Sequence, residues 1–376
     1  MSNKKLSLAF IGGGINSAVG TTHKLAAQMD ERWELVAGCF SRNNDINVST
    51  GTNWNIDNDR LYSSPEELFE NEKGKLDAVV ILTPTPSHPE LVIKAIKSGY
   101  AVICEKSLAC SSTEANQVNQ AVKEHNAFLA LTYNYTGYPM LRELQHLIKN
   151  GKLGKIDQIQ IEMPQEGFRK VDKNGAPLTP QDWRLSDKNI PTISLDLGVH
   201  LVQMIKFLSA ETPLEVVATE SNIGNFTGII DNVMCIAKYT GDLSCQIWYS
   251  KTALGQSNGL KVRVYGGSGS AEWLQMEPEY LIYHNQLGDK SIITRSSSMA
   301  EESKKLSYNR FKAGHPAGFI EAFANYYYDL ADSLIEYKEK GTFLSPWIFS
   351  SVDAENDLKM LEAISLSSKE NKWIKT

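Results

Sequence analysis

The 376-residue chain has no run approaching 18 consecutive apolar residues, so the sequence offers nothing to cross a membrane as a helix. A clustered basic excess is missing too. Lys and Arg number 38 against 44 Asp and Glu, and the net charge of −6 with dispersed basic residues excludes a nucleic-acid surface. Cysteine is scarce: five residues, at 39, 104, 110, 235 and 245, odd in number and without metal-ligand spacing. Three of these fall in or beside strand-like runs, as buried reduced thiols do. No metal is expected, and the chain reads as cytoplasmic. The start, "MSNKKLSLAFIGGG", has two lysines but only a short apolar run before its glycines, which makes it a first strand rather than a signal peptide. There is no internal repeat and no low-complexity tail.

What remains is the composition of a globular protein, 42% apolar and 22% charged, in a chain long enough for two domains. The first third alternates near-continuous apolar runs (6–11, 33–40, 77–83, 101–105 and 127–133) with helical stretches. One helix opens at Ser64, Pro65 and Glu67 with a capping-box start; another runs from near Pro89 to Gly99. Parallel strands buried on both faces have this signature, and a doubly wound α/β domain over residues 1–133 is expected. Over 134–376 strands follow one another without intervening helices, at 214–220, 231–239, 243–250, 260–265 and 270–275, with "YTGD" as a hairpin signal. Helices near 316–338 and 346–367 close the chain. The second domain is therefore expected to be α+β around a mainly antiparallel sheet.

"AFIGGGINSAVG" follows the first strand and opens a helix. Gly12, Gly13 and Gly14, with Ile15 and Asn16, suit the tight turn that brings a pyrophosphate against backbone amides at a helix N-terminus. Ser17 takes the third fingerprint position. After the second strand no acid stands ready for a ribose 2′-hydroxyl; Ser41 and Arg42 are there instead, with Asp45 further on. NAD and NADP are nearly balanced, with a lean to NADP from Ser41 and Arg42.

Two further strand ends carry polar groups. "TPTPSH" sets Thr83 and Pro84 beside the cofactor, and His88 either contacts it or simply starts the next helix. "ICEKSL" presents Glu105 and Lys106 as a surface ion pair or as a cleft pair, in which Lys106 hydrogen-bonds a reacting oxygen. In "ISLDLGVHLVQM", Asp196 and His200 stand four apart in an apolar run, within roughly 40° of each other on a helix. Burying both is costly unless they are partnered, and a partnered imidazole titrates near neutrality, as a general base must. Spacing leaves a structural pair and a catalytic pair equally open.

Read together, "GGGINS", "TPTPSH", "CEKS", "YNYTGYP", "DWR" and "DLGVH" resemble the glucose–fructose oxidoreductase/inositol dehydrogenase/MocA family, in order and over nearly the whole chain. The resemblance implies an N-terminal Rossmann domain, a C-terminal domain with a large open sheet that serves assembly as a homodimer or homotetramer, and NAD(P)-dependent oxidation of a ring hydroxyl of a sugar or cyclic polyol. It implies that Lys106 assists at that hydroxyl, that Asp196 orients it and that His200 takes its proton. Asn134, Tyr135, Arg184, Asp231, Asn232 and His315 become substrate candidates. Ser107 replaces the family's proline after Lys106, where a cis peptide is usual, and "NIPTIS" replaces its glycine-rich approach to Asp196. Two other activities fit such a fold: glycoside hydrolysis through transient oxidation by NAD, and dinucleotide sensing without turnover.

Overall fold

The computed structural model describes residues 5–17 and 19–376, which gather into two compact units. One takes the chain up to Gly137 together with Phe319–Glu355, and the other takes Tyr138–Gly318 with Asn356–Thr376. No described helix is long and apolar enough to cross a membrane.

The first unit is built on five parallel strands, β1 (Leu6–Gly12), β2 (Trp33–Cys39), β3 (Ala78–Leu82), β4 (Val102–Glu105) and β5 (Leu129–Thr132). Their order is β2-β1-β3-β4-β5. Outside β2, Leu61 makes a single parallel bridge to Gly38. Counted as a vestigial strand, it restores the order of a dinucleotide fold, whose ligand site lies where the chain reverses beside β1. The strands read as apolar runs because both faces are covered: β3, "AVVIL", is buried at every position.

Helices α1 (Gly20–Gln28), α2 (Asn44–Trp54), α3 (Pro65–Asn71), α4 (His88–Lys97) and α5 (Ser112–His125) supply the crossovers. Their ends obey local chemistry. Ser64 Oγ accepts the Glu67 amide, while the Glu67 carboxylate closes on Ser63 rather than Ser64. Gly99 follows α4 at φ +88°, as a C′ glycine does. The stretch Phe319–Glu355, left with the second domain by sequence pattern alone, belongs to the first unit. Its aromatic face explains why. Phe323, Tyr326 and Tyr327 are buried, the Tyr327 carbonyl accepts from Trp33 Nε1 at 2.8 Å, and Asn325 Nδ2 donates to the Gly137 carbonyl at 2.8 Å.

The second unit begins with α6 (Pro139–Lys149) and β6 (Ile156–Pro164), then α7 (Val199–Ser209). The antiparallel run follows: β7 (Pro213–Ser221), β8 (Asn232–Tyr239), β9 (Ser244–Ser250), β10 (Lys261–Gly266), β11 (Gly269–Leu274), β12 (Leu281–Asn285) and β13 (Lys290–Ile293). The helices Phe319–Lys340 (α8) and Ser351–Glu370 (α9) and a short β14 (Ile374–Lys375) end the chain. The nine-stranded order is β13-β12-β11-β10-β6-β9-β8-β7-β14, antiparallel except between β6 and β9. "YTGD" does join β8 to β9, through the single 3-10 turn Thr240–Asp242, with Gly241 and Asp242 both at positive φ.

Strict alternation splits this sheet into two faces. Ile159, Ile161, Val233, Cys235, Ile247 and Tyr249 point inward and are buried, whereas Gln160, Met234, Ile236 and Gln246 point outward. The outward face is open, and Met234 and Ile236 are each about half exposed on it. All five cysteines are buried free thiols.

Candidate active site

The glycine turn comes first. Gly12 and Gly13 adopt φ of +82° and +74°, conformations that side chains rarely take. A Cβ on Gly13 would lie 2.5 Å from the Leu82 side chain, so nothing larger fits where β1 meets the end of β3. The amides of Gly14 and Ile15 are engaged within the fold, on the Phe40 carbonyl and Thr50 Oγ1. Donors toward a phosphate therefore fall to Asn16 and to the first turn of α1, whose amides have no acceptor inside the helix. Ser17, expected at the third fingerprint position, does not hold the close approach of helix to strand; Gly20 does. A Cβ at Gly20 would sit 1.7 Å from the Gly13 carbonyl oxygen.

At the ends of β3 and β4 a second set of groups converges. His88 is fully buried, with Nδ1 on the Ser107 carbonyl at 2.7 Å and Nε2 on the Thr83 carbonyl at 2.6 Å. Burial pushes its pKa down, against the pull of those two carbonyls. With both nitrogens taken, His88 is a strut between the "TPTPSH" and "CEKS" turns and has none left for a ligand. Pro84 precedes the single turn Thr85–Ser87, which leads into that helix.

Glu105 Oε1 accepts from His23 Nε2 at 3.0 Å and Thr132 Oγ1 at 2.5 Å, and His23 Nδ1 meets the Tyr327 hydroxyl at 2.7 Å. Burial drives the Tyr327 phenol well above its ordinary pKa, and the Glu105 carboxylate can only accept, so the hydrogen between it and His23 belongs to Nε2. Burial opposes ionisation of Glu105, yet His23, Lys106 and Thr132 outweigh it and hold its carboxyl below the usual range. His23 had no sequence signal; it ties the cofactor helix to the strand that delivers Lys106.

The Lys106–Ser107 peptide is cis, so serine keeps the geometry expected of the family's proline. Ser107 Oγ and Asn134 Nδ2 are buried with no hydrogen-bond partner among the described residues, one after β4 and the other after β5. Tyr135, next in line, packs its ring against Phe319. Two orphaned polar atoms at the C-terminal ends of β4 and β5, where an open α/β sheet places its ligands, fit the polar nicotinamide half of a dinucleotide. Ser41 and Arg42 lie on the surface where β2 leads into α2, with Ser41 Oγ accepting the Asn43 amide.

In the second unit the segment around Asp196 is not a plain α-helix. Ser194–Gly198 forms one wide turn, in which the Val199 amide reaches back five residues to the Ser194 carbonyl, before α7 continues. Such turns recur at functional sites. Ser194 Oγ and the Tyr249 hydroxyl are 2.8 Å apart, and a Cβ on Gly198 would lie 2.9 Å from the Tyr249 ring, which is why glycine stands there. Asp196 Oδ2 accepts from both Arg184 Nη1 and Lys251 Nζ. Lys251 is enclosed, its Nζ 5.3 Å from the Phe168 ring centre, and Arg184 lies over Trp183 at 4.3 Å. His200, 5% exposed, follows one turn on.

Lys251 is the residue that sequence reasoning missed, and a lysine just past a strand gave no cue. Of the other substrate candidates, Asp231 is fully buried and accepts from Asn222 Nδ2 and the amides of Ile223 and Gly224, so its carboxylate shapes a loop. Asn232 is likewise engaged by Ser221 and Trp248. His315 sits exposed on a loop, its carbonyl held by Arg295. Among the described residues no group of three or more His, Cys, Asp or Glu is placed to hold a metal.

Comparison with known proteins is consistent with this geometry. A sequence model described as "Oxidoreductase family, NAD-binding Rossmann fold" matches residues 6–133, and one for the "GFO/IDH/MocA C-terminal domain" matches 141–272. The chain is 26% identical over 361 residues to the uncharacterized oxidoreductase YfiI of Bacillus subtilis, covering 94% of this chain and 91% of that one. An oxidoreductase structure from Sinorhizobium meliloti is 29% identical with a TM-score of 0.85, covering 99% of each chain. An inositol dehydrogenase homolog from Azotobacter vinelandii, complexed with NADH and myo-inositol, is 24% identical with a TM-score of 0.88 over 100% of each chain.

Proposed function

From a chain that belongs to the GFO/IDH/MocA family of NAD-binding oxidoreductases, we propose a dehydrogenase that oxidises a ring hydroxyl of a sugar or cyclic polyol. The observation that carries this reading is the Arg184–Asp196–Lys251 cluster one turn from His200. Two cations on one carboxylate keep Asp196 ionised, because an opposite charge within a few ångström favours the charged form. Asp196 then accepts a hydrogen bond and orients, while the proton of the alcohol goes to the neutral imidazole of His200. The family resemblance gives Lys106, at the end of β4, the part of stabilising negative charge that develops on a reacting oxygen. A bound nicotinamide would supply the acceptor for the hydride.

The end of β2 favours NADP over NAD. It offers the Ser41 hydroxyl and the exposed Arg42 guanidinium, and the nearest acid is Asp45, further on in the first turn of α2. The open outward sheet face, with Met234 and Ile236 half exposed, supports assembly into a homodimer or homotetramer through that surface. The test is a panel of inositols, aldoses and anhydrosugars, followed by NADH and NADPH formation. Substrate-dependent reduction that vanishes in Lys106→Ala and His200→Ala supports the reading; full turnover in both variants sinks it.

A further inference from the structure

His23 is 0% exposed in the first turn of α1, where an apolar side chain would pack among Phe10, Phe323 and Tyr327 with no polar group to satisfy. Its imidazole instead bridges elements. Nε2 donates to Glu105 Oε1 at 3.0 Å, and Nδ1 lies 2.7 Å from the Tyr327 hydroxyl on α8. Thr132 Oγ1, at the end of β5, donates to the same Oε1. Two donors on one oxygen fix that carboxylate at the C-terminal end of β4, where the chain runs directly into Lys106. Burial disfavours an ionised carboxyl there. Against burial, the bond to His23 and its charge weigh more than Lys106 or Thr132. The titratable groups around Glu105 are His23 on α1, Cys104 on β4, Lys106 just after it, His88 on α4 and Tyr327 on α8. Of these, Lys106 is the one that the family resemblance sets at a reacting oxygen.

We propose that His23 is a positioning residue for Lys106: it fixes the Glu105 carboxylate, and that carboxylate holds the neighbouring ammonium in place at the end of β4. One imidazole then keeps the helix whose first-turn amides suit a pyrophosphate in register with the strand that delivers the lysine. This rests on the dehydrogenase reading for what Lys106 does, and on the contacts of Glu105 alone for what holds it.

Competitive acylation of the full chain with acetic anhydride, read by peptide mass spectrometry without substrate or cofactor, reports on Lys106 directly. A lysine released from its carboxylate acylates faster, so labelling of Lys106 relative to the other lysines should rise roughly threefold or more in His23→Leu and in Glu105→Gln. It should return toward wild type in His23→Gln, whose amide can donate where Nε2 does. On a substrate from the sugar panel, His23→Leu should lower kcat roughly tenfold with KM within about twofold. The double variant His23→Leu/Glu105→Gln should lose no more than Glu105→Gln alone, because both changes cut one chain of contacts. Melting temperature and dinucleotide affinity are measured alongside, and Glu105→Gln makes the same cut from the other side should His23→Leu fail to fold. Losses that multiply in the double variant overturn the proposal, as does unchanged labelling of Lys106 or a His23→Gln no better than His23→Leu. Faster labelling with no sugar oxidised upholds the positioning and removes the dehydrogenase reading. Full turnover in His23→Leu removes the positioning and leaves that reading standing.

Discussion

Single residues decide the chemistry, and Lys251 is the sharpest case. Removing one partner of a buried charge leaves the other exposed to a low dielectric, at about 3–5 kcal/mol when no other partner remains. Asp196 keeps Arg184, so Lys251→Met should cost about 1–3 kcal/mol in a denaturant titration, and kcat should fall by a larger factor than KM rises. Glu105 gives a prediction in pH. Its carboxyl is held below the usual range in the folded state, so the unfolded chain binds the extra proton. The stability it contributes is present above the ordinary glutamate pKa of about 4.3 and is lost as pH falls through the lowered folded value. Melting curves of Glu105→Gln should accordingly depend less steeply on pH than wild type in that acidic window. Arg42→Ala should weaken NADP binding by roughly tenfold and leave NAD binding nearly unchanged, read by fluorescence titration.

At the scale of elements, the turn into α1 is the most exacting join. Gly20→Ala would press a methyl group into the Gly13 carbonyl, which is backbone and has little room to give. A loss of about 3 kcal/mol or more in stability is expected, together with loss of dinucleotide binding. The same join shows where sequence reading stops. The five parallel strands were legible because burial on both faces leaves apolar runs, and β8 and β9 because burial on one face leaves alternation. The fingerprint's usual spacing pointed to Ser17, and only the distance between α1 and β1 reveals that Gly20 fills the role. β12, "LIYHN", escaped because every position after the buried Leu281 is partly exposed, which leaves no inward-outward contrast. Asp196 and His200 announced themselves as polar residues in an apolar run. Their setting did not: the wide turn comes from packing under Tyr249, and Asp196's partners lie 12 and 55 residues away in sequence.

At the scale of the whole molecule, family membership and a dinucleotide turn make the chain an NAD-binding oxidoreductase, for which the Asp196–His200 segment is the proposed proton-accepting site. Its assembly is tested on the outward sheet face. Met234→Asp with Ile236→Asp places charge on an apolar surface that folding leaves exposed, so a drop in oligomeric mass by light scattering is expected with the melting curve of the fold retained. The activity is tested most directly by steady-state turnover of wild type and His200→Ala on a sugar or polyol identified from the panel. Wild type should accumulate free reduced cofactor in step with oxidised product, and His200→Ala should lose at least a factor of about 100 in kcat while still binding cofactor. Undiminished turnover in His200→Ala, or sugar release with no net reduced cofactor, would contradict the mechanism.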